Sequence, residues 1–306
     1  MASLAPGTHR ISMSHGGLDR PYLLHVPESD PRPAGPEAAS RAAGLPLVLE
    51  LHGRGIDAAQ FDRMTGFTAL AEEMGFIVAA PEAVDEMWND GRESSAHDNA
   101  LPDDVGYLAA LLADVSNGAR VDPARVYVVG MSNGAGMTAR FVCDRPDLVA
   151  AAAQVAGTAT ERVAATFRPL QPVPLLHVHG TADPIWLYSG GVSETVRRQA
   201  MIRHRPEPSV SVDDWARFWV RANGASEPPR ERRLTADTTV REWHGPTPRS
   251  DLAFYRVEGA GHTWPGAGLP LPSLLFGRTS RTFSAARTAW EFFAPHRAPA
   301  AGSGPL

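Results

Sequence analysis

The sequence predicts an α/β fold, a mostly parallel sheet with helices on both faces, and three observations carry that prediction. Short strand-like runs alternate with helical patterns from residue 46 to residue 180. The runs are largely apolar rather than alternating with polar residues, as strands buried on both faces are. Each stops at a glycine or proline turn, which suits βαβ crossovers.

In chain order, Tyr22 to Val26 reads as an early strand, followed by a Pro/Ala/Gly-rich stretch from 27 to 44 that reads as a solvated insertion. Pro46 to Leu51 is an apolar strand running into the turn His52-Gly53-Arg54-Gly55. Asp57 then caps a helix whose apolar residues Phe61, Met64, Phe67, Leu70, Ala71 and Met74 fall at helical spacing, ending before Gly75. Phe76 to Ala80 is a strand stopped by Pro81. A polar segment, Glu82 to Leu101, precedes a helix opened by Pro102-Asp103-Asp104; the two carboxylates there are expected to cap the helix rather than to form an acid–base pair. Val149 to Val155 and Val173 to Val178 are further buried strands. Residues 184–211 interrupt the alternation with Trp186, Tyr188, Gly190-Gly191 and an arginine-rich run, read as a solvated face or a lid. A helix over Val212 to Ala222, strands over Thr239 to Trp243 and Leu252 to Val257, and a helix over Ser284 to Phe293 complete one domain spanning residues 1–306.

The chemistry concentrates at strand ends. Arg125 to Val129 forms a buried strand that meets Gly130-Met131-Ser132-Asn133-Gly134 and passes at once into a helical pattern. Glycine flanks are needed where strand and helix cross, and the middle serine is held out in a strained conformation beside a helix N-terminus. Asp183 follows the strand ending His177-Val178-His179-Gly180, and His262 follows the strand ending at Val257 on a glycine-rich loop. The chain order Ser132, Asp183, His262 is that of the α/β-hydrolase triad. His177 and His179 face the same way along a strand and could hold a metal, but no second ligand cluster accompanies them, so hydrogen bonding around the Asp183 loop is expected instead and no metal is assigned.

Composition removes several classes. All 29 basic residues are arginines, so a Walker-type lysine, a Schiff-base lysine and a Ser–Lys dyad are excluded. The formal charge of −5 argues against nucleic acid as a partner. Cys143 is the single cysteine, so no internal disulfide forms, and it is expected to be a small buried apolar residue. The glycines near residue 130 lack Gly-x-Gly-x-x-Gly spacing, and no cofactor is expected. No apolar run approaches membrane-spanning length and the first residues do not look like a signal peptide; a cytoplasmic location is the expectation, unless a leader has been removed.

Five motifs in order, Trp88-Asn89-Asp90-Gly91-Arg92, Asp103-Asp104-Val105-Gly106, Gly130 to Gly134, His179 to Asp183 and Gly261-His262-Thr263-Trp264-Pro265-Gly266, resemble the poly(3-hydroxybutyrate) depolymerase-like esterases, near their LpqC-type and feruloyl-esterase branches. The likeness extends over roughly residues 8 to 296 and takes in Leu275 to Ser280. It implies an α/β-hydrolase fold and hydrolysis of small or polymeric carboxylic esters, of hydroxyalkanoate or aryl/feruloyl type, by Ser132, Asp183 and His262. Many relatives are secreted and carry cysteine pairs, which this chain lacks. The oxyanion donors are expected to be the backbone N–H of Asn133 and that of Arg54, with Gly53 and Gly55 as alternatives to Arg54. Trp88, Trp186 and Trp264 lie beside strand-end motifs and are expected along the substrate cleft, against the alternative of ordinary aromatic packing. A serine peptidase or amidase and a catalytically silent binding protein are the other readings this fold allows.

Overall fold

Among the described residues ten strands make one sheet in the order β1-β2-β4-β3-β5-β6-β7-β10-β9-β8, numbered along the chain as Gly7–His15, Leu18–Val26, Leu45–Leu51, Ile77–Pro81, Val121–Met131, Ala151–Val155, Leu175–Gly180, Arg230–Arg233, Thr238–Trp243 and Leu252–Val257. The computed structural model describes residues 4–28, 44–92, 102–200, 206–269 and 271–299. Strands β4-β3-β5-β6-β7-β10 are mutually parallel, and the pairs β1–β2, β2–β4, β10–β9 and β9–β8 are antiparallel.

The parallel strands read as continuous apolar runs because both faces are covered. In β3, Leu47, Leu49 and Leu51 join one apolar cluster and Val48 the other. The first cluster takes helices Asp104–Gly118 (α3), Asn133–Asp144 (α4) and Val212–Asn223 (α5). The second takes Ala58–Thr65 (α1), Phe67–Met74 (α2) and Ala285–Phe293 (α6). Burying a large aliphatic or aromatic side chain contributes about 1.5–3 kcal/mol, so these two layers, not local propensity, hold the sheet. Cys143 is buried among apolar neighbours on α4, and its thiol is pushed up by that burial.

Several boundaries differ from those expected. The helix expected from Asp57 to Met74 is two helices: Gly66, at φ 75°, ends α1 in a left-handed cap and starts α2. Asp57 caps α1 in a capping box with Gln60. Strands β1 and β8 had no counterpart in the sequence reading. The latter is Arg-Glu-Arg-Arg, and both lie at the two ends of the sheet, where a charged or polar strand discourages pairing with another chain. Most of the 27–44 insertion, residues 93–101 of the polar segment and residues 201–205 of the arginine-rich run lie outside the described residues. The rest of 184–211 is tied to the body: Ser209 bridges to Thr160 and Gly191, and the Val210 and Val212 N–H groups donate to Ala159 O and Tyr188 O. No helix among the described residues is long and apolar enough to cross a membrane.

Candidate active site

Ser132 sits at the turn from β5 to α4, where the strand must become a helix within one residue. Its backbone takes φ 57° and ψ −118°, a conformation that costs a non-glycine residue about 1–3 kcal/mol. The surroundings impose it. A Cβ on Gly130 would overlap the carbonyl of Gly134, and one on Gly134 would overlap those of Leu51 and His52, so strand, turn and helix close on one another only with glycine at both places. The Ser132 N–H donates to Val155 O at 2.9 Å, and Ser132 O accepts from Gly136 at 3.1 Å. Among the described residues the other non-glycine positions with positive φ are Asp85, Glu86 and Ala156. Ala156 precedes Gly157, which abuts Ser132 O, and Glu86 O accepts the Gly55 N–H. The strained positions therefore lie on segments touching the elbow or the turn after β3.

Asp183 lies three residues beyond β7 and His262 five beyond β10, the strand paired with β7. With Ser132 just past β5, and β6 between β5 and β7, all three residues follow the carboxyl ends of strands in the same parallel run. His262 Nδ1 is 2.8 Å from Asp183 Oδ2, and both side chains are buried. Asp183 Oδ1 accepts from the Ile185 and Trp186 N–H groups, each at 2.8 Å. Burial alone would push this carboxyl up, but His262 and the other donors outweigh it and hold Asp183 below the ordinary carboxylate range, as an anion. With Nδ1–H committed to a carboxylate, Nε2 is the basic nitrogen of His262. Its loop is strapped by a 2.6 Å bond from His262 N–H to Phe276 O, and the Phe276 ring stacks on the imidazole at 6.3 Å. Neither Ser132 Oγ nor His262 Nε2 makes a hydrogen bond among the described residues; such bonds often tighten only when substrate is bound.

The turn after β3 rests against the elbow. A Cβ on Gly53 would stand 3.5 Å from the Cβ of Ser132. Of the donors considered on that turn, Gly55 N–H is engaged with Glu86 O at 3.1 Å, whereas the Gly53 and Arg54 N–H groups have no partner among the described residues. His52 fixes the turn: Nδ1 donates to Gly53 O at 2.8 Å and Nε2 accepts from Ala83 N–H at 3.0 Å. Asn133 is buried, its side chain accepting from Trp88 N–H at 2.7 Å and donating to Trp88 O and Asp90 Oδ2.

The tryptophans divide. Trp88 is fully buried, lies tilted against His52 at 5.2 Å and donates its indole N–H to His52 O at 3.0 Å, so it braces the turn and does not line a cleft. Trp264, on the same loop as His262, is 1% exposed and stands edge-on to Phe61 and Phe67, a core residue rather than a cleft residue. Trp186 is also buried, but it has the Arg92 guanidinium over its ring at 5.3 Å. Asp103 caps α3 as expected, accepting Gly106 N–H at 2.9 Å. Asp104 instead is a buried anchor, taking Arg20 Nη2 and the Asn89 N–H at 2.7 Å each. No group of three metal-ligating side chains occurs among the described residues, and His177 and His179 are bonded to each other. The sequence reading missed Gln154, a polar residue in the alanine- and valine-rich strand β6, which was the signal that something buried needed a partner.

A wide, mostly parallel sheet wrapped by helices, with a strained serine after one strand and an Asp–His pair after two further strands of the same parallel run, defines an α/β-hydrolase. A solved acetyl xylan esterase from Aspergillus awamori shares the fold, with a TM-score of 0.62, 14% identity, and coverage of 94% of this chain and 99% of that one. The family model described as "Esterase PHB depolymerase" matches residues 34–194, and the chain belongs to that family; it is a carboxylic-ester hydrolase. Among its relatives, "Putative esterase NocK" of Nocardia uniformis subsp. tsuyamanensis is 34% identical, over 90% of this chain and 79% of that protein. Feruloyl esterase B of Piromyces equi is 27% identical over 61% of this chain but 34% of its own length. Poly(3-hydroxyalkanoate) depolymerase C of Paucimonas lemoignei is 34% identical over 38% of this chain and 28% of its own length.

Proposed function

We propose that Ser132, His262 and Asp183 carry the ester hydrolysis as nucleophile, general base and orienting carboxylate. The observation that carries this reading is the 2.8 Å bond from His262 Nδ1 to Asp183, which commits one ring nitrogen and leaves the other as base, on the same sheet edge as the strained serine. His262 Nε2 takes the Ser132 proton as Oγ adds to the ester carbonyl carbon, and Asp183 stabilises the imidazolium. The Asn133 and Arg54 N–H groups receive the oxyanion. Collapse of the adduct breaks the bond to the alcohol, which leaves with the proton from His262. Water then attacks the acyl-enzyme, giving its proton to Nε2, and the acid departs as Ser132 is restored.

For substrate, hydroxyalkanoate or aryl/feruloyl-type esters are the best supported. The names of the relatives point that way, and Leu274 and Leu275 stand exposed next to Phe276, whose ring lies against His262. An apolar rim there suits an ester with an apolar acyl or aryl group.

Ser132→Ala is expected to lower turnover of a p-nitrophenyl ester by several orders of magnitude and to abolish fluorophosphonate labelling. Activity unchanged in that variant refutes the mechanism. Faster cleavage of a peptide or amide than of every ester in a panel of hydroxybutyrate oligomers, feruloyl esters and acetylated sugars would move the assignment to a peptidase or amidase.

A further inference from the structure

Behind Asp183 runs a chain of buried polar side chains with no part in the steps above. The strand register builds it: Gln154 of β6 lies directly opposite His177 of β7, and Phe254 of β10 lies opposite His177 on the other side. His177 and His179 share the face covered by α5, from which Trp215 descends. The contacts are Trp215 Nε1 to Gln154 Oε1 at 2.8 Å, Gln154 Oε1 to His177 Nδ1 at 3.4 Å, His177 Nε2 to His179 Nδ1 at 3.2 Å, and His179 Nε2 to Trp186 O at 2.7 Å. His179 Nε2 is also 3.5 Å from Asp183 Oδ2. Every side chain in the chain is buried, and Phe254 stacks on His177 at 5.0 Å while Tyr188 stands edge-on to His179 at 6.0 Å, so neither ring is free to turn.

Counting protons fixes the tautomers. His179 Nε2 faces only oxygen acceptors, so it carries a proton, and in the neutral ring Nδ1 is bare. His177 Nε2 must then be the donor to it, which leaves His177 Nδ1 bare as well. Trp215 N–H holds Gln154 Oε1, and the Gln154 amide nitrogen donates to Ala135 O at 3.2 Å, so the amide cannot turn round without losing both. Two ring protons thus serve three hydrogen-bond contacts, and the one left without a proton, at 3.4 Å, is longer than the other two, at 3.2 and 2.7 Å. Burial holds both rings below the ordinary histidine range, consistent with this neutral count.

We infer that His179 is the positioning residue of Asp183. Its Nε2–H clamps the carbonyl of Trp186, the residue whose own N–H donates to Asp183 Oδ1, and the same nitrogen stands 3.5 Å from Asp183 Oδ2. The loop carrying the carboxylate is thereby tied to β7 and, through His177, Gln154 and Trp215, to the core. The inference rests on Asp183 and His262 acting as proposed. It differs from simple packing in requiring a hydrogen-bond donor at one atom, and a glutamine supplies that donor where a leucine of similar size does not.

His179→Leu and His179→Gln are compared with the wild type on a soluble p-nitrophenyl ester, with thermal melts alongside. His179→Leu is expected to lose between about tenfold and a hundredfold in kcat, the scale of a carboxylate misplaced by about 1 Å, with KM within about twofold. His179→Gln is expected to recover to within about threefold of the wild-type kcat. Long-range proton–nitrogen NMR spectra of the wild type at neutral pH are expected to show both rings protonated at Nε2 and bare at Nδ1. Wild-type kcat in His179→Leu, a low kcat in a well-folded His179→Gln, or a proton on His179 Nδ1 overturns the inference. If His179→Leu does not fold, the glutamine variant and the spectra decide. Failure of the underlying reading is separate: it shows as activity surviving Ser132→Ala or His262→Ala, whatever position 179 does.

Discussion

His52 provides the sharpest link between pH and the site. The ring is fully buried with Nδ1–H on Gly53 O and a bare Nε2 accepting Ala83 N–H, so both nitrogens are satisfied only in the neutral form. A second proton would set two donors against each other at Nε2. Burial lowers His52 from 6.5 to about 4. The bond to Gly53 O and the charge of Asp57 favour the protonated ring, but burial outweighs both. Because the unfolded chain takes up this proton near pH 6.5 and the native state only near pH 4, the stabilisation is complete above pH 6.5 and is lost as the pH falls through that window. The gap of about 2.5 pH units, at about 1.36 kcal/mol per unit, amounts to about 3 kcal/mol. The comparison is wild type against His52→Asn, which keeps a donor for Gly53 O and cannot titrate. Urea unfolding between pH 4 and 8 is expected to show the variant less stable by about 1–3 kcal/mol at pH 8, with the two curves converging toward pH 4. Curves that stay parallel across the window refute the account.

Three further outcomes follow from buried groups near the site. Glu50 is fully buried with one oxygen on Thr65, and burial first, then Asp62, holds its carboxyl well above the usual range. The native state keeps a proton the unfolded chain releases above about pH 4.3, so stability falls as pH rises from there; Glu50→Gln should gain about 1–3 kcal/mol at pH 8 relative to its effect at pH 5, and melts shifted equally at both pH values would contradict this. Trp264→Ala should cost about 3–5 kcal/mol of stability and change KM for short and bulky esters alike, whereas a KM rise confined to bulky esters would return Trp264 to the cleft. Trp186→Ala, which keeps the backbone N–H on Asp183, should raise KM more for aryl than for acetyl esters; an equal rise for both would make Trp186 a packing residue.

The parts of the molecule legible in the sequence are those set by neighbours in the chain. Gly130-Met131-Ser132-Asn133-Gly134 declares its turn because the crowding that demands glycine arises within four residues and the strand end beside it. Asp57 and Asp103 cap helices through bonds three residues long. The break at Gly66 was hidden because apolar spacing runs through it from Phe61 to Met74, and a single glycine costs a helix only about 1 kcal/mol. β1 and β8 were hidden because an edge strand buries little and needs no apolar pattern. The roles of Trp88 and Trp264 depend on contacts with His52, Phe61 and Phe67 that no local pattern encodes.

The Trp88-Asn89-Asp90-Gly91-Arg92 segment shows how a motif beside a reacting residue can serve it without touching substrate. Arg20 on β2 holds Asp104, Asp104 holds the Asn89 N–H, and Asp90 takes Arg92 and the Asn133 amide. Trp88 closes the circuit, its backbone N–H on Asn133 Oδ1 and its indole on the carbonyl of His52. Asn133 follows Ser132, and His52 directs the turn that carries Arg54, so one buried segment fixes the two backbone stretches expected to meet the oxyanion. Both must be rigid before substrate arrives if they are to stabilise charge without reorganising. Buried, mutually satisfied polar groups supply that rigidity at a cost in desolvation that an apolar core would not incur. The polar residues gathered beneath these strand ends are therefore best understood as the fixed frame of the chemistry proposed for the site.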